Sequence, residues 1–257
     1  MAEISPNLYI LQAFKNLHSL GDATVAVLEK SKRPHILQGA EHFPSTGGFI
    51  VAANHFVRVD DPTDMTGDQK MNDIYQAMGL ITRAVREKCP DTTVVWTPSE
   101  VPRPEALWPK TATPRELLAW LEKDARFAGA NILRKTFLSL VSNANDVLPV
   151  PHGTKGMRTF YKEAISSLRQ KNVIALFPEG EVSVSMRQAK EGFAHLAFAA
   201  QVPVIPVSTY DQDGVLCAVL SSLMQPPQQR SDISAFADSV MQTIAQKLPL
   251  NLRGVYS

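Results

Sequence analysis

The chain has 257 residues, 44% of them hydrophobic and 20% charged, and its 26 Lys and Arg stand against 25 Asp and Glu for a net charge of +1. These are globular proportions, which exclude a disordered, collagen-like or low-complexity chain. The even charge balance argues against a nucleic-acid binder, which needs a basic excess. Two cysteines, Cys89 and Cys217, with no C-x-x-C between them, supply neither a zinc ribbon nor a dithiol pair.

The opening MAEISPNL carries Glu3 and no basic run, which reads against a signal peptide. Ser5 and Pro6 then give a helix-start signal. Ile10, Phe14, Leu17 and Leu20 recur at helical spacing with Ala13 on their face, so 5–20 reads as an amphipathic helix. Its apolar stripe suits either packing on the domain or contact with a membrane surface. Gly21 and Asp22 are expected to separate it from a second helix at 23–31, which makes 1–32 an N-terminal helical segment and 33–257 an α/β domain.

Strands are expected at 34–38 and 48–53, a helix at 72–88 and a strand at 92–97. Five prolines between Pro98 and Pro114 mark 98–114 as a loop insertion. Helices at 114–127 and 131–143 follow, then strand 146–150, helix 157–171, strand 173–177, helix 189–200, strands 203–208 and 215–219, and a last helix over 232–247 capped by Ser231. The uncharged run Gly192–Tyr210 contains His195, Gln201, Pro203 and Pro206, which suits a buried helix and strand better than a membrane span. Alternating apolar strands and helices predict an α/β fold, a mostly parallel central sheet with helices on both faces. Ligands on such sheets bind at the carboxyl ends of strands, here the turns after Ala53, Val150, Phe177 and Val207.

Two of those turns carry candidate chemistry. Asn54-His55-Phe56-Val57-Arg58-Val59-Asp60 follows an apolar strand directly. A His and an Asp five apart share neither a helix face nor a strand face, so only a turn brings them together, and Val59-Asp60-Asp61-Pro62 is turn sequence. An Asp60 carboxylate on one ring nitrogen leaves the other nitrogen of His55 as a base for a hydroxyl. The plain alternative is a structural histidine. Phe177-Pro178-Glu179-Gly180 also ends an apolar strand, and there Pro178 and Gly180 turn the chain and display Glu179. A carboxylate in that place holds ligand hydroxyls or is simply a solvated turn residue. Further on come Lys190-Glu191-Gly192 at a helix start and Val202-Pro203-Val204-Ile205-Pro206-Val207, whose prolines mark a strand end or bulge.

In this order the motifs resemble those of the glycerophospholipid acyltransferases. The N-H-x₄-D pattern matches at Asn54, His55 and Asp60, F-P-E-G at 177–180, K-x-G at Lys190 and Gly192, and V-P-x-x-P-V at 202–207. The resemblance covers roughly 34–62 and 146–208 and departs in three places. Val57 stands where the family often has Ser, Val182 where it usually has Arg, and Leu148–Gly153 ends in no Asp-Arg. The resemblance implies an O-acyltransferase that moves a fatty acyl group from an acyl-CoA or acyl-carrier-protein thioester to the hydroxyl of glycerol 3-phosphate or a lysophospholipid. His55 would be general base, Asp60 its orienting partner, and Glu179 with Gly180 the acceptor site. Lys190, Arg158, Lys155 and Arg187 are candidates for the phosphate contacts that the missing arginines leave open. Neither a cofactor nor a metal is implied beyond the co-substrate. The expected setting is cytoplasmic or at a membrane surface, with peripheral contact through 5–20. The rival reading is a non-catalytic lipid- or acyl-donor-binding protein on the same fold. A serine hydrolase finds no G-x-S-x-G in the chain.

Overall fold

The computed structural model of the protein describes residues 19–58, 68–98, 144, 146–151 and 156–257. The expected helices at 114–127 and 131–143, nearly all of 5–20, all but the first residue of the 98–114 insertion, Asp60 and Lys155 lie outside the described residues.

Six strands form one sheet: β1 (His35–Gln38), β2 (Ile50–Ala53), β3 (Val94–Trp96), β4 (Val173–Leu176), β5 (Val204–Gln212) and β6 (Val215–Leu220), in the spatial order β1-β6-β5-β2-β4-β3. Every neighbouring pair is parallel except β5 and β6, which are antiparallel. β1 and β6 therefore run against the other four. Apolar residues on both faces of the central strands decide this architecture. In β2, Val51 and Ala53 enter one core while Ile50 and Ala52 enter the other, and β4 divides its residues in the same way. A strand buried on both sides needs helices above and below it.

One layer is α1 (Leu20–Ser31) and α2 (Asp68–Lys88), and the other is α3 (Met157–Arg169), α4 (Gly192–Ala200) and α5 (Ile233–Lys247). In chain order, 3₁₀ turns occur at Ala40–His42, Arg230–Asp232, Leu250–Leu252 and Gly254–Tyr256. None of the described helices is long and apolar enough to cross a membrane.

Several expected boundaries move for identifiable reasons. Gly21 does not break a helix, because α1 already starts at Leu20. The Ser19 hydroxyl accepts the Asp22 N–H (3.1 Å), and the Asp146 carboxylate accepts the N–H groups of Leu20 (3.0 Å) and Gly21 (2.8 Å). No strand is formed at 146–150. Its residues run beside β3 with an isolated bridge from Val147 to Trp96 and with the Leu148 N–H donating to the Trp96 carbonyl (2.9 Å).

β5 does not turn after Val207. It continues to Gln212 and doubles back through Asp213-Gly214, both with positive φ, to pair with β6. Asp-Gly is the two-residue turn whose twist matches a hairpin. Ser231 does not cap the last helix either. A 3₁₀ turn leads in, Asp232 takes the cap position without a side-chain bond, and Ser231 donates to the Asp232 carboxylate instead (2.9 Å).

Candidate active site

β2, β4 and β5 are parallel neighbours, with Ala52 opposite both Leu176 and Pro206. Their carboxyl ends therefore open at one edge, and the segments that follow β2 and β4 meet there.

Asn54 starts the first segment. Its side chain is buried beside β5, where Nδ2 donates to the Thr209 carbonyl (2.9 Å) and Oδ1 accepts the Thr209 N–H (2.6 Å). The amide acts as one more rung of the sheet and fixes where the chain leaves β2. Sequence reading treated Asn54 only as a motif letter. The available signal was an Asn placed directly after a fully buried strand, where its polar atoms must find partners.

His55 follows. Its backbone N–H donates to Glu179 Oε1 (2.8 Å). Its ring lies on Phe177 with centroids 4.4 Å apart, and Phe177 in turn stacks on Trp96 at 5.5 Å. The ring Nδ1 is out of reach of solvent and has no hydrogen-bond partner among the described residues. Burial disfavours the imidazolium and lowers the pKa to about 4, outweighing the opposing effect of a backbone hydrogen bond. At neutral pH the ring is an unprotonated base.

Glu179 is neither solvated nor loosely displayed. It is 3% exposed, and its two carboxylate oxygens accept separate backbone N–H groups, that of His55 on Oε1 and that of Arg187 on Oε2 (2.7 Å). Burial pushes its pKa up, while those two hydrogen bonds and the Arg187 charge pull it down. Glu179 thus joins the histidine segment to the loop between β4 and α4. A bridge between Phe56 and Ser183 lays the two segments side by side.

Gly180 has φ +68, and a Cβ there would stand 2.9 Å from Lys190 Nζ. The glycine serves both the turn and the close approach of the Lys190 side chain. Arg187 is exposed and pairs with Glu181 (2.9 Å), itself 59% exposed, an ion pair weak enough for the guanidinium to exchange partners. The structure therefore brings His55, Glu179, Gly180, Arg187 and Lys190 together. Arg158 sits exposed in the first turn of α3, and none of the described contacts joins it to them.

Val182, at the position of the family arginine, is a solvent-facing apolar side chain at 38% exposure. No group of three or more His, Cys, Asp or Glu that could hold a metal occurs among the described residues.

The next residue on from Val57 anchors the histidine segment to α2. The Arg58 backbone N–H and guanidinium donate to Asp73 (3.1 and 2.9 Å), and Arg33, just before β1, donates to the same carboxylate (3.1 Å). Sequence reading missed this cluster, since 40 residues separate Arg33 from Asp73 and no local pattern links them.

A combination of a neutral buried imidazole, a carboxylate-braced turn and exposed cations suits proton removal from the hydroxyl of an anionic substrate. The model of the Acyltransferase family matches residues 117–210, a stretch that contains the F-P-E-G, K-x-G and V-P-x-x-P-V motifs and begins downstream of His55. Over these residues the chain is similar to the acyltransferases. In fold it is similar to the crystal structure of the 1-acyl-sn-glycerophosphate (LPA) acyltransferase PlsC from Thermotoga maritima. The TM-score is 0.50 at 15% sequence identity, over 94% of this chain and 92% of that one. No curated protein sequence matches the chain.

Proposed function

We propose that the protein transfers a fatty acyl group from a CoA or acyl-carrier-protein thioester to the hydroxyl of a lysophospholipid or of glycerol 3-phosphate, with His55 as general base. The observation that carries this is the shared brace of Glu179. It sets a neutral buried imidazole beside a loop bearing two cations, Arg187 and Lys190. A base beside a phosphate-binding loop is what a phosphorylated alcohol requires. The fold neighbour, whose own name describes an acyltransferase acting on 1-acyl-sn-glycerophosphate, supports this acceptor class.

In the reaction, His55 takes the acceptor hydroxyl proton as the oxygen attacks the thioester carbonyl. The tetrahedral intermediate collapses by breaking the C–S bond, and His55 returns the proton to the leaving thiolate. Ester and free thiol result, and no acyl-enzyme intermediate forms. Asp60 orients the ring by accepting a hydrogen bond from one nitrogen, so that the lone pair on the other faces the acceptor. Arg187 and Lys190 hold the acceptor phosphate. Val182 carries no charge where the family has Arg, so the phosphate load falls to these two residues.

The test is thiol release from palmitoyl-CoA and from acyl-carrier-protein thioesters against glycerol 3-phosphate and lysophosphatidate. His55→Ala is expected to lower kcat by about 10²–10⁴-fold with the fold intact. Because Glu179 braces both loops, Glu179→Gln is expected to lower kcat and raise the acceptor KM together. Full turnover in the His55 variant removes the general base. Saturable donor binding without thiol release in the unmodified protein supports a binding protein instead.

A further inference from the structure

The loop that carries Arg187 and Lys190 has no regular structure of its own between β4 and α4. Hydrogen bonds define its shape, two of them made within the loop itself. The Arg187 N–H is taken by Glu179, and the Lys190 N–H by the Pro178 carbonyl (2.9 Å). Two more come from the segment after α5. The Met186 N–H donates to the Leu252 carbonyl (2.9 Å), and the Ala189 N–H to the Tyr256 hydroxyl oxygen (3.1 Å).

A return bond runs from the Val255 N–H to the Met186 carbonyl (3.3 Å). Gly254 makes the approach possible, since it has φ +56 and any Cβ would overlap the Met186 carbonyl oxygen. Arg253 ties the segment back to the end of α5 through the Leu248 carbonyl (3.0 Å). Leu252 and Tyr256 pack against the core cluster that includes Met186.

We infer that residues 250–256 form a strap that holds the 186–190 loop in its phosphate-binding shape, with Tyr256 and Gly254 as positioning residues for Arg187 and Lys190. This rests on the reading of that loop as the acceptor-phosphate site. Among the described residues the strap bonds to the acceptor loop and makes no hydrogen bond to 54–58, so its loss is read first in acceptor affinity. Nothing in the sequence between 208 and 257 signals this role. The contact pairs positions about 70 apart, and the family match ends at 210.

The experiment compares Tyr256→Phe, Gly254→Ala and Lys190→Ala in the full chain, with lysophosphatidate as acceptor and palmitoyl-CoA as donor. Tyr256→Phe keeps the ring and removes only the oxygen that Ala189 uses. In both strap variants the acceptor KM is expected to rise about fivefold or more, with kcat and the donor KM within about twofold of the unmodified enzyme. Amides of 186–189 are expected to exchange about tenfold faster. An acceptor KM within about twofold of normal in both strap variants overturns the inference, as does a fall in kcat with both KM values moving alike, which marks general unfolding. If Lys190→Ala raises the acceptor KM and the strap variants do not, the strap inference alone falls. If Lys190→Ala leaves it unchanged, the phosphate reading falls and takes the strap with it.

Discussion

His55 combines two properties that the sequence alone could not join, a place in the N-H-x₄-D pattern and a ring kept neutral by its surroundings. Its pKa falls from the ordinary 6.5 to about 4 because burial removes the water that would solvate the imidazolium. Between these values the unfolded chain binds a proton that the folded one does not. Burial of His55 therefore lowers stability as pH drops through that window and has no such effect above it. On the proposed mechanism, activity follows the same proton. With burial alone, the acid limb of kcat/KM is expected near pH 4; an Asp60 carboxylate at the ring raises it by favouring the cation. Asp60→Asn is expected to move the limb down towards about 4, read from kcat/KM at unit pH steps. A limb that stays put in that variant separates Asp60 from His55. Glu179 is the opposite kind of group. Its carboxylate is withdrawn from water, but two backbone N–H groups satisfy it, so it acts as a bracket between segments as well as a site residue.

At the level of elements, α1 shows how one distant side chain sets a boundary. Asp146 accepts the Leu20 and Gly21 N–H groups and the Ser19 hydroxyl (2.7 Å), filling the donor end of the helix with a negative charge. Asp146→Ala leaves buried donors without partners and is expected to destabilise the fold by about 1–3 kcal/mol. A urea midpoint unchanged from the unmodified protein would remove Asp146 from that role. Where α1 meets α2, Gly79 lies so close to the Thr24 carbonyl that a Cβ would overlap it. The glycine sits inside a helix, where it costs roughly 1 kcal/mol against alanine, and close packing of the two helices requires it. Trp96 closes the other end of this layer, with its indole N–H donating to the Thr82 hydroxyl (3.0 Å) and its ring under Phe177.

Across the whole molecule, one buried carboxylate ties separate layers to the site. Asp73 on α2 is fully buried and receives Arg33 from before β1 and Arg58 from just after His55. Arg33 also pairs with Asp211 on β5. α2, the segment before β1, the turn after His55 and β5 thus meet at one ion cluster. Removing one partner of a buried cluster leaves uncompensated charge, so Asp73→Asn is expected to cost about 3–5 kcal/mol. Thermal unfolding followed by circular dichroism measures it; a shift too small to resolve would mean that water or another group takes over the two guanidinium ions.

The fold class was legible because it depends on local pattern. Apolar runs such as Phe49–Ala53 and Val173–Leu176, each bounded by turn residues and followed by helical periodicity, require a sheet covered on both faces. The motifs at Asn54–His55 and 177–180 were legible because chemistry-bearing residues stood directly after those runs. The reversal of β1 and β6 was not legible, since strand direction depends on partners, and the Asp213-Gly214 turn becomes a hairpin only when β6 lies beside β5. The bracket role of Glu179, the strap at Tyr256 and the cluster at Asp73 were invisible for the same reason. Hydrogen-bond partners 40 to 124 residues apart leave no periodicity in a sequence. By itself, the sequence determined which side chains could do chemistry and where most of the described strands and helices fall, because both follow from residue type and short-range spacing. The tertiary structure alone decided which of those side chains are buried, braced and brought together, because burial and long-range pairing are properties of the packed chain.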